Sequence, residues 1–346
     1  MKSISAVKII CWLIGLSIGG VVLLLIAGYV YFSVVGSRQV ACMNNIRNVA
    51  LGSMQHDAAK QRLPGWVNVV CPDPGTGFAG QGSKPGSWAF ELLPYLEMGD
   101  LYSLYGPNNT DQGKDTRRCM ANGLPQERIE LLICPADEVG ADTGMSIVAN
   151  CGMRDQGWDA LAIGRPEDAG GKYDDDYLEP AANGVFHKAY MRGTADVGIP
   201  RMTISSLAYI QAGDGSAATL MYSENVDATY WPGGTTPKKL DGTESAVCFC
   251  WSGADPKRAA TDPANAMKIN EKIGLHSGLA PRPSSNHFGG VNVVFCDAHG
   301  QMIMPQIDWL VWCSMHSPNN ARVAEPSEGK SDQSSPALQP FRDAGN

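Results

Sequence analysis

A chain of 346 residues with 44% hydrophobic side chains holds enough apolar material for one large body or two smaller ones. Its 27 Lys and Arg against 35 Asp and Glu leave a formal charge of -8, and the basic residues are spread thinly, which excludes the concentrated basic footprint of a nucleic-acid surface. The 39 Gly and 22 Pro recur through the middle of the chain and favour a loop-rich β or α+β body over a helical bundle.

Ile9 to Val35 carries no charge, and about 20 apolar residues suffice for a helix to cross the hydrocarbon core of a bilayer. The run outlasts the apolar region of a signal peptide, and Ser37-Arg38-Gln39-Val40-Ala41 offers no convincing cleavage site, so the reading is an uncleaved transmembrane anchor over 9–35. Lys2 and Lys8 favour a cytoplasmic N-terminus over 1–8, weakly opposed by Arg38 and Arg47. The expected location is therefore the inner membrane, single-pass, with the main body extracytoplasmic. Gly15 and Gly19 form a Gly-x-x-x-Gly pair, read equally well as a helix-packing face for self-association or as incidental membrane glycine.

Beyond the span, Val40, Met43, Ile46, Ala50, Met54 and Ala58 recur at three- and four-residue intervals and predict that the helix continues over 36–62, one helix of roughly 50 residues if Gly36 is passed without a break. Leu63-Pro64-Gly65 stops it. Trp88 to Tyr105 has helical spacing with Pro94 dividing it into two short helices. From Leu131 onward come short apolar runs: Leu131 to Cys134, Gly184 to Phe186, Thr219 to Tyr222, Ala246 to Trp251 and Val291 to Cys296. They predict an antiparallel sheet with long excursions, completing an α+β domain over 63–316. Ser317 to Asn346 lacks apolar periodicity and is expected to be a disordered tail.

The segment Ser285 to Gly300 carries the most information. Phe288-Gly289-Gly290 reads as a loop and Val291 to Cys296 as a strand, with Gln301 to Met304 returning as its partner. At about 3.3 Å per residue that strand holds His287 and Asp297 roughly 20 Å apart, which excludes an acid/base couple. Asp297 opens a type I turn and caps its amides, while Gly300 is expected to supply the left-handed residue. His287, Gly289, Gly290, Asp297 and Gly300 are thus structural-motif residues.

His287, His299, His316, Cys296 and Cys313 have no metal-ligand spacing, so no metal ion is expected. Asp174, Asp175, Asp176 and Glu179 are calcium candidates, although a solvated acidic loop fits their spacing better. Gly213-Asp214-Gly215-Ser216 lacks a following Lys and reads as a turn, and the Gly-x-Ser-x-Gly match at Gly15 to Gly19 lies inside the membrane span, where no nucleophile elbow forms. No catalytic residue and no cofactor emerge. With Cys11 in the membrane, nine cysteines remain outside; disulfides suit such a compartment, their pairing stays open, and an odd number leaves a thiol free or paired between chains.

In chain order, Cys42-Met43-Asn44-Asn45-Ile46-Arg47, His56-Asp57 with Leu63-Pro64, Trp88 with Leu92-Leu93-Pro94-Tyr95-Leu96-Glu97, Cys134-Pro135-Ala136-Asp137, Asp214-Gly215-Ser216 with Thr219 and Glu224, and Asn286-His287 through Asp297 form an ordered set. The set resembles the planctomycete-type family of pseudopilin-like (prepilin-like) envelope proteins, domain of unknown function 1559, with its C-terminal His-x9-Asp-Gly signature. Ala298 replaces the signature glycine, which is expected to shift the turn toward Gly300. Lys8-Ile9-Ile10-Cys11 lacks the glycine and glutamate of a prepilin cleavage site, so neither that processing nor pilus assembly by that route is expected.

The resemblance implies a pseudopilin-like α+β fold, its long N-terminal helix packed on an antiparallel sheet. It also implies a non-enzymatic structural or interaction role in the cell envelope or a secretion-like assembly, with the lipid bilayer and envelope proteins as partners. The alternatives are an extracytoplasmic binding module for carbohydrate or calcium, using the acidic loop and tryptophans such as Trp158 and Trp231, and a membrane-tethered hydrolase gathering His187, His276 and His287.

Overall fold

The computed structural model describes residues 6–71, 84–105, 127–137, 144–153, 177–178, 181–189, 203–232, 247–251, 269–270, 281–323 and 327–328. Helix α1 spans Ala6–Lys60, passes Gly36 without a break and measures about 82 Å at 1.5 Å per residue. Its two halves differ in what they meet. From Trp12 to Val34 the large apolar side chains point outward on all sides, Leu24 being 75% exposed. From Cys42 the pattern becomes one-sided: Cys42, Ile46, Val49, Ala50 and Ser53 are buried, because the helix lies on the sheet. The helix ends where Gln61 turns left-handed and its amide returns to Asp57 O at 2.7 Å, one turn before Pro64.

A small sheet follows, with β1 (Val67–Cys71) between β2 (Lys84–Ser87) and β5 (Lys188–Ala189), the latter parallel to it. Ser87 caps α2 (Trp88–Leu92), a 3₁₀ turn over Leu93–Leu96 carries Pro94 in its first turn, and α3 (Gly99–Tyr105) completes the divided helix. The proline, lacking an amide hydrogen, sits where a new turn begins. The central sheet has the order β7-β3-β6-β8-β9 and comprises β3 (Ile147–Met153), β6 (Leu220–Glu224), β7 (Cys248–Trp251), β8 (Val291–Phe295) and β9 (Gly300–Ile303). β4 (Tyr177–Leu178) pairs with β10 (Ser327–Glu328). Helices α4 (Leu207–Ala212) and α5 (Trp309–His316) complete the elements used below.

The α+β class and the long apolar helix agree with expectation, with four corrections. The central sheet is mixed, since β3 and β7 run parallel while the other pairs are antiparallel. Leu131 to Cys134 is no strand: Leu132 N and Ile133 N reach back three residues to Ile129 O and Glu130 O, closing a 3₁₀ turn ahead of Pro135. Gly184 to Phe186 is a turn, with Val185 N and Phe186 N both on Asn150 O. Residues 317–323 pack on the body, with Ser317 and Val323 buried.

The signature hairpin keeps its chemistry but moves its left-handed residue. Ala298 N donates to Phe295 O at 2.9 Å and Phe295 N to His299 O at 3.0 Å, and Ala298 itself takes φ 65°. The turn therefore does not shift to Gly300, whose φ is not left-handed; an added Cβ there would lie 2.2 Å from Met43 Sδ, so this glycine lets β9 approach α1. Asp297 does cap the turn, accepting the His299 amide at 3.0 Å. Gly290 is tighter still, because a Cβ would lie 2.1 Å from the backbone oxygen of Ile303 on the paired strand. Gly290→Ala is expected to cost roughly 1–3 kcal/mol in urea unfolding, whereas a loss under about 0.3 kcal/mol would show that β8 and β9 separate freely.

Candidate functional site

Four segments distant in the chain meet where α1 crosses the ends of β6 and β8. Cys42 comes from the first buried turn of α1, Cys134 from the turn after the Glu130–Leu132 helix, Glu224 from the end of β6, and His287 from the loop entering β8. Their ligand-type atoms all lie within 4.8 Å of one another, and all four residues are buried. Glu224 Oε2 lies 3.0 Å from Cys42 Sγ and 3.4 Å from His287 Nε2, while His287 Nε2 lies 3.1 Å from Cys134 Sγ.

The surrounding backbone fixes each group. Glu224 Oε1 accepts the Asn292 amide at 2.7 Å, which leaves Oε2 to face the cluster. Ser285 Oγ accepts the His287 amide at 3.1 Å and donates to Gly290 O at 2.6 Å, closing the loop that presents the imidazole. The Asp137 amide bonds Cys134 O at 2.9 Å, Asn286 Nδ2 reaches Ala136 O at 3.1 Å, and Asn45 Nδ2 reaches Ile133 O at 3.0 Å. Cys134 is thereby tied to both its loop neighbour and α1.

Electrostatics polarise the cluster. The hydrogen bond with Cys134, then burial and the Glu224 carboxyl, push the Cys42 thiol far above its ordinary value, whereas the same contact with Cys42, aided by His287 and against burial, lowers Cys134. Burial disfavours charge on His287, yet its hydrogen bonds to Cys134 and Glu224 outweigh that and raise it to about 10.

The sequence-singled residues distribute differently. His287 and Asp297 have separate partners, Asp297 bonding His299 Nδ1 at 2.6 Å on the far side of β8. His299 stacks on Phe295 and His316 packs against Phe249 and Trp312, so neither joins His287. Cys296 and Cys313 are buried thiols raised by that burial. His187 faces Gly184 O at 3.1 Å, away from the four-residue cluster. Trp231, expected among exposed tryptophans, is fully buried, its Nε1 donating to Glu127 O at 2.9 Å. Asp174, Asp175, Asp176, Glu179, Trp158 and His276 lie outside the described residues. Among the described residues no neighbouring side chain or other segment lies within 4 Å of a Cβ placed at Gly15 or Gly19, so that helix face is open there. Cys151 and Cys248 join β3 to β7 in a disulfide, while Cys42, Cys134, Cys296 and Cys313 are free thiols.

The cluster was hidden because its parts are up to 245 residues apart, as Cys42 and His287 are. A signal existed nonetheless: each of the four residues stands in a different segment of the ordered set that carries the family resemblance.

A family model described as a protein of unknown function (DUF1559) matches residues 36–309. No curated protein matches the chain, and no solved structure does.

Proposed function

The chain belongs to the DUF1559 family, and on that premise we propose that it is a single-pass, membrane-anchored, non-enzymatic structural or interaction protein of the bacterial cell envelope, built on a pseudopilin-like plan. One observation carries the reading: the same unbroken helix is apolar and exposed on every side from Trp12 to Val34, then one-sided and buried against a sheet from Cys42 onward. A helix apolar all round needs a lipid or protein environment for that half. Placing the half in the inner membrane, with Lys2 and Lys8 on the cytoplasmic side, puts the body in an oxidising compartment, and the Cys151–Cys248 disulfide suits it. The exposed face bearing Gly15 and Gly19 offers a route to lateral association with a second copy or with another membrane helix.

Crosslinking intact cells with a membrane-impermeant reagent, followed by identification of the captured chains, tests this. Expected is a product that stays with the membrane after alkaline washing and contains secretion-like or other envelope proteins. A chain released by the wash, or one the reagent cannot reach, overturns the placement; capture of glycans alone overturns the assembly role.

A further inference from the structure

We propose that Cys42, Cys134, Glu224 and His287 form a closed structural zinc site that clasps the anchor helix to the body. The inference does not depend on where the helix is anchored. Two sulfurs, one imidazole nitrogen and one carboxylate oxygen are a ligand set that thiophilic zinc accepts, at about 2.3 Å for sulfur and 2.0–2.2 Å for nitrogen and oxygen. Tetrahedral ligands at those radii stand roughly 3.3–3.8 Å apart. The contacts of 3.0, 3.1 and 3.4 Å approach that spacing, and the remaining pairs lie within 4.8 Å of one another, so the four atoms already surround a volume of the size such an ion occupies.

The contact pattern points the same way. Cys42 Sγ and His287 Nε2 both face Glu224 Oε2, and His287 Nε2 also faces Cys134 Sγ, so four ligand-type atoms converge on one point. A single cation at the centre satisfies a lone pair on each. The supporting contacts are those of oriented ligands: Asn292 N holds the other carboxylate oxygen, and Ser285 holds the His287 loop. All four side chains are buried among the described residues, which fits a structural site and not a catalytic one. Each ligand comes from a different part of the fold, so the ion joins α1, the turn at Cys134, β6 and the His287 loop at a single point.

The test uses the full chain purified in mild detergent without chelator. Elemental analysis is expected to find one zinc per chain, and the cobalt-substituted protein to show the thiolate-to-cobalt absorption of a tetrahedral site. Cys134→Ser and His287→Asn are expected to retain about a tenth of the zinc or less, whereas Cys313→Ser, a buried thiol away from the cluster, retains it. Because ligand variants can misfold, the wild-type chain stripped with chelator supplies an independent reading: its melting temperature falls and zinc, but not calcium or magnesium, restores it. Substoichiometric metal with no zinc-dependent melting shift overturns the proposal, as does recovery of Cys42 and Cys134 joined in a disulfide.

Discussion

Acidification from about pH 7 to about pH 5 is expected to remove about 4 kcal/mol of stability through His56 and His316 together, offset by roughly 1 kcal/mol from His287, whose raised value acts in the opposite sense. His56 is 1% exposed and His316 is fully buried. His56 Nδ1 faces Arg62 O at 2.9 Å and His316 Nδ1 faces Trp312 O at 2.8 Å, so Nδ1 carries the proton in each neutral ring. Each Nε2 is buried with no hydrogen-bond partner among the described residues, and protonation would place an unmatched N–H there. Burial therefore lowers both histidines from 6.5 to about 4, with Arg62 and Lys60 adding to the effect on His56.

The sign follows from which state takes up protons. Between pH 6.5 and 4 the unfolded chain binds them and the folded chain does not, so stability is complete above the unfolded value and falls on acidification. By pH 5 this amounts to about 2 kcal/mol per histidine, most of the way to their limits and largely before ordinary carboxylates titrate. Urea midpoints followed by tryptophan fluorescence measure it; His316→Gln and His56→Gln should each remove about half of the part that these two histidines contribute. A midpoint that stays constant over that interval refutes the assignment.

What was legible in the sequence is what local pattern encodes. The uncharged run from Ile9 to Val35 and the stripe from Val40 to Ala58 forecast one helix with two environments, and the helix has them. The alternation around Val291 and the Asp297 turn forecast the β8-β9 hairpin. Strand β3 was missed because a central strand is covered on both faces and needs no period-two alternation; Ile147–Met153 shows none, and its Asn150 spends its side chain on Leu220 O and His316 O. The left-handed residue was misplaced because propensity favours glycine there, while the hairpin geometry left Ala298 in that position. The four-residue cluster was invisible for a different reason: metal motifs are read from short spacings, and here each ligand sits alone in its own segment. Even the helix polar residues had long-range duties, Asn45 toward Ile133 O and Arg47 toward Ala298 O, that periodicity alone does not specify.

Arg282→Met is expected to destabilise the chain by about 3–5 kcal/mol, the range for breaking one side of a buried ion pair. Arg282 and Asp227 are both fully buried, and the Arg282 Nη2 meets Asp227 Oδ2 in a short contact. Nη1 also donates to Ser284 Oγ at 3.0 Å and to Asn225 Oδ1 at 3.2 Å, while Ser284 Oγ donates to Asn225 Oδ1 at 2.8 Å. Removing the guanidinium leaves the Asp227 carboxylate to be desolvated without it, and the desolvation cost of a buried charge exceeds what lost methylene packing alone would give. Replacing both residues, as Arg282→Met with Asp227→Leu, removes that buried charge as well, so the double variant should recover part of the loss. The same network fixes two of the four chain segments that deliver the cluster: Asn225 follows Glu224 directly, and Ser284 lies three residues before His287. A chevron or urea titration of the four proteins resolves the coupling energy. If the single variant costs under about 1 kcal/mol, or the double variant is no better than the single, the pair does not hold this corner of the fold and the Glu224 and His287 segments owe their placement to the sheet alone.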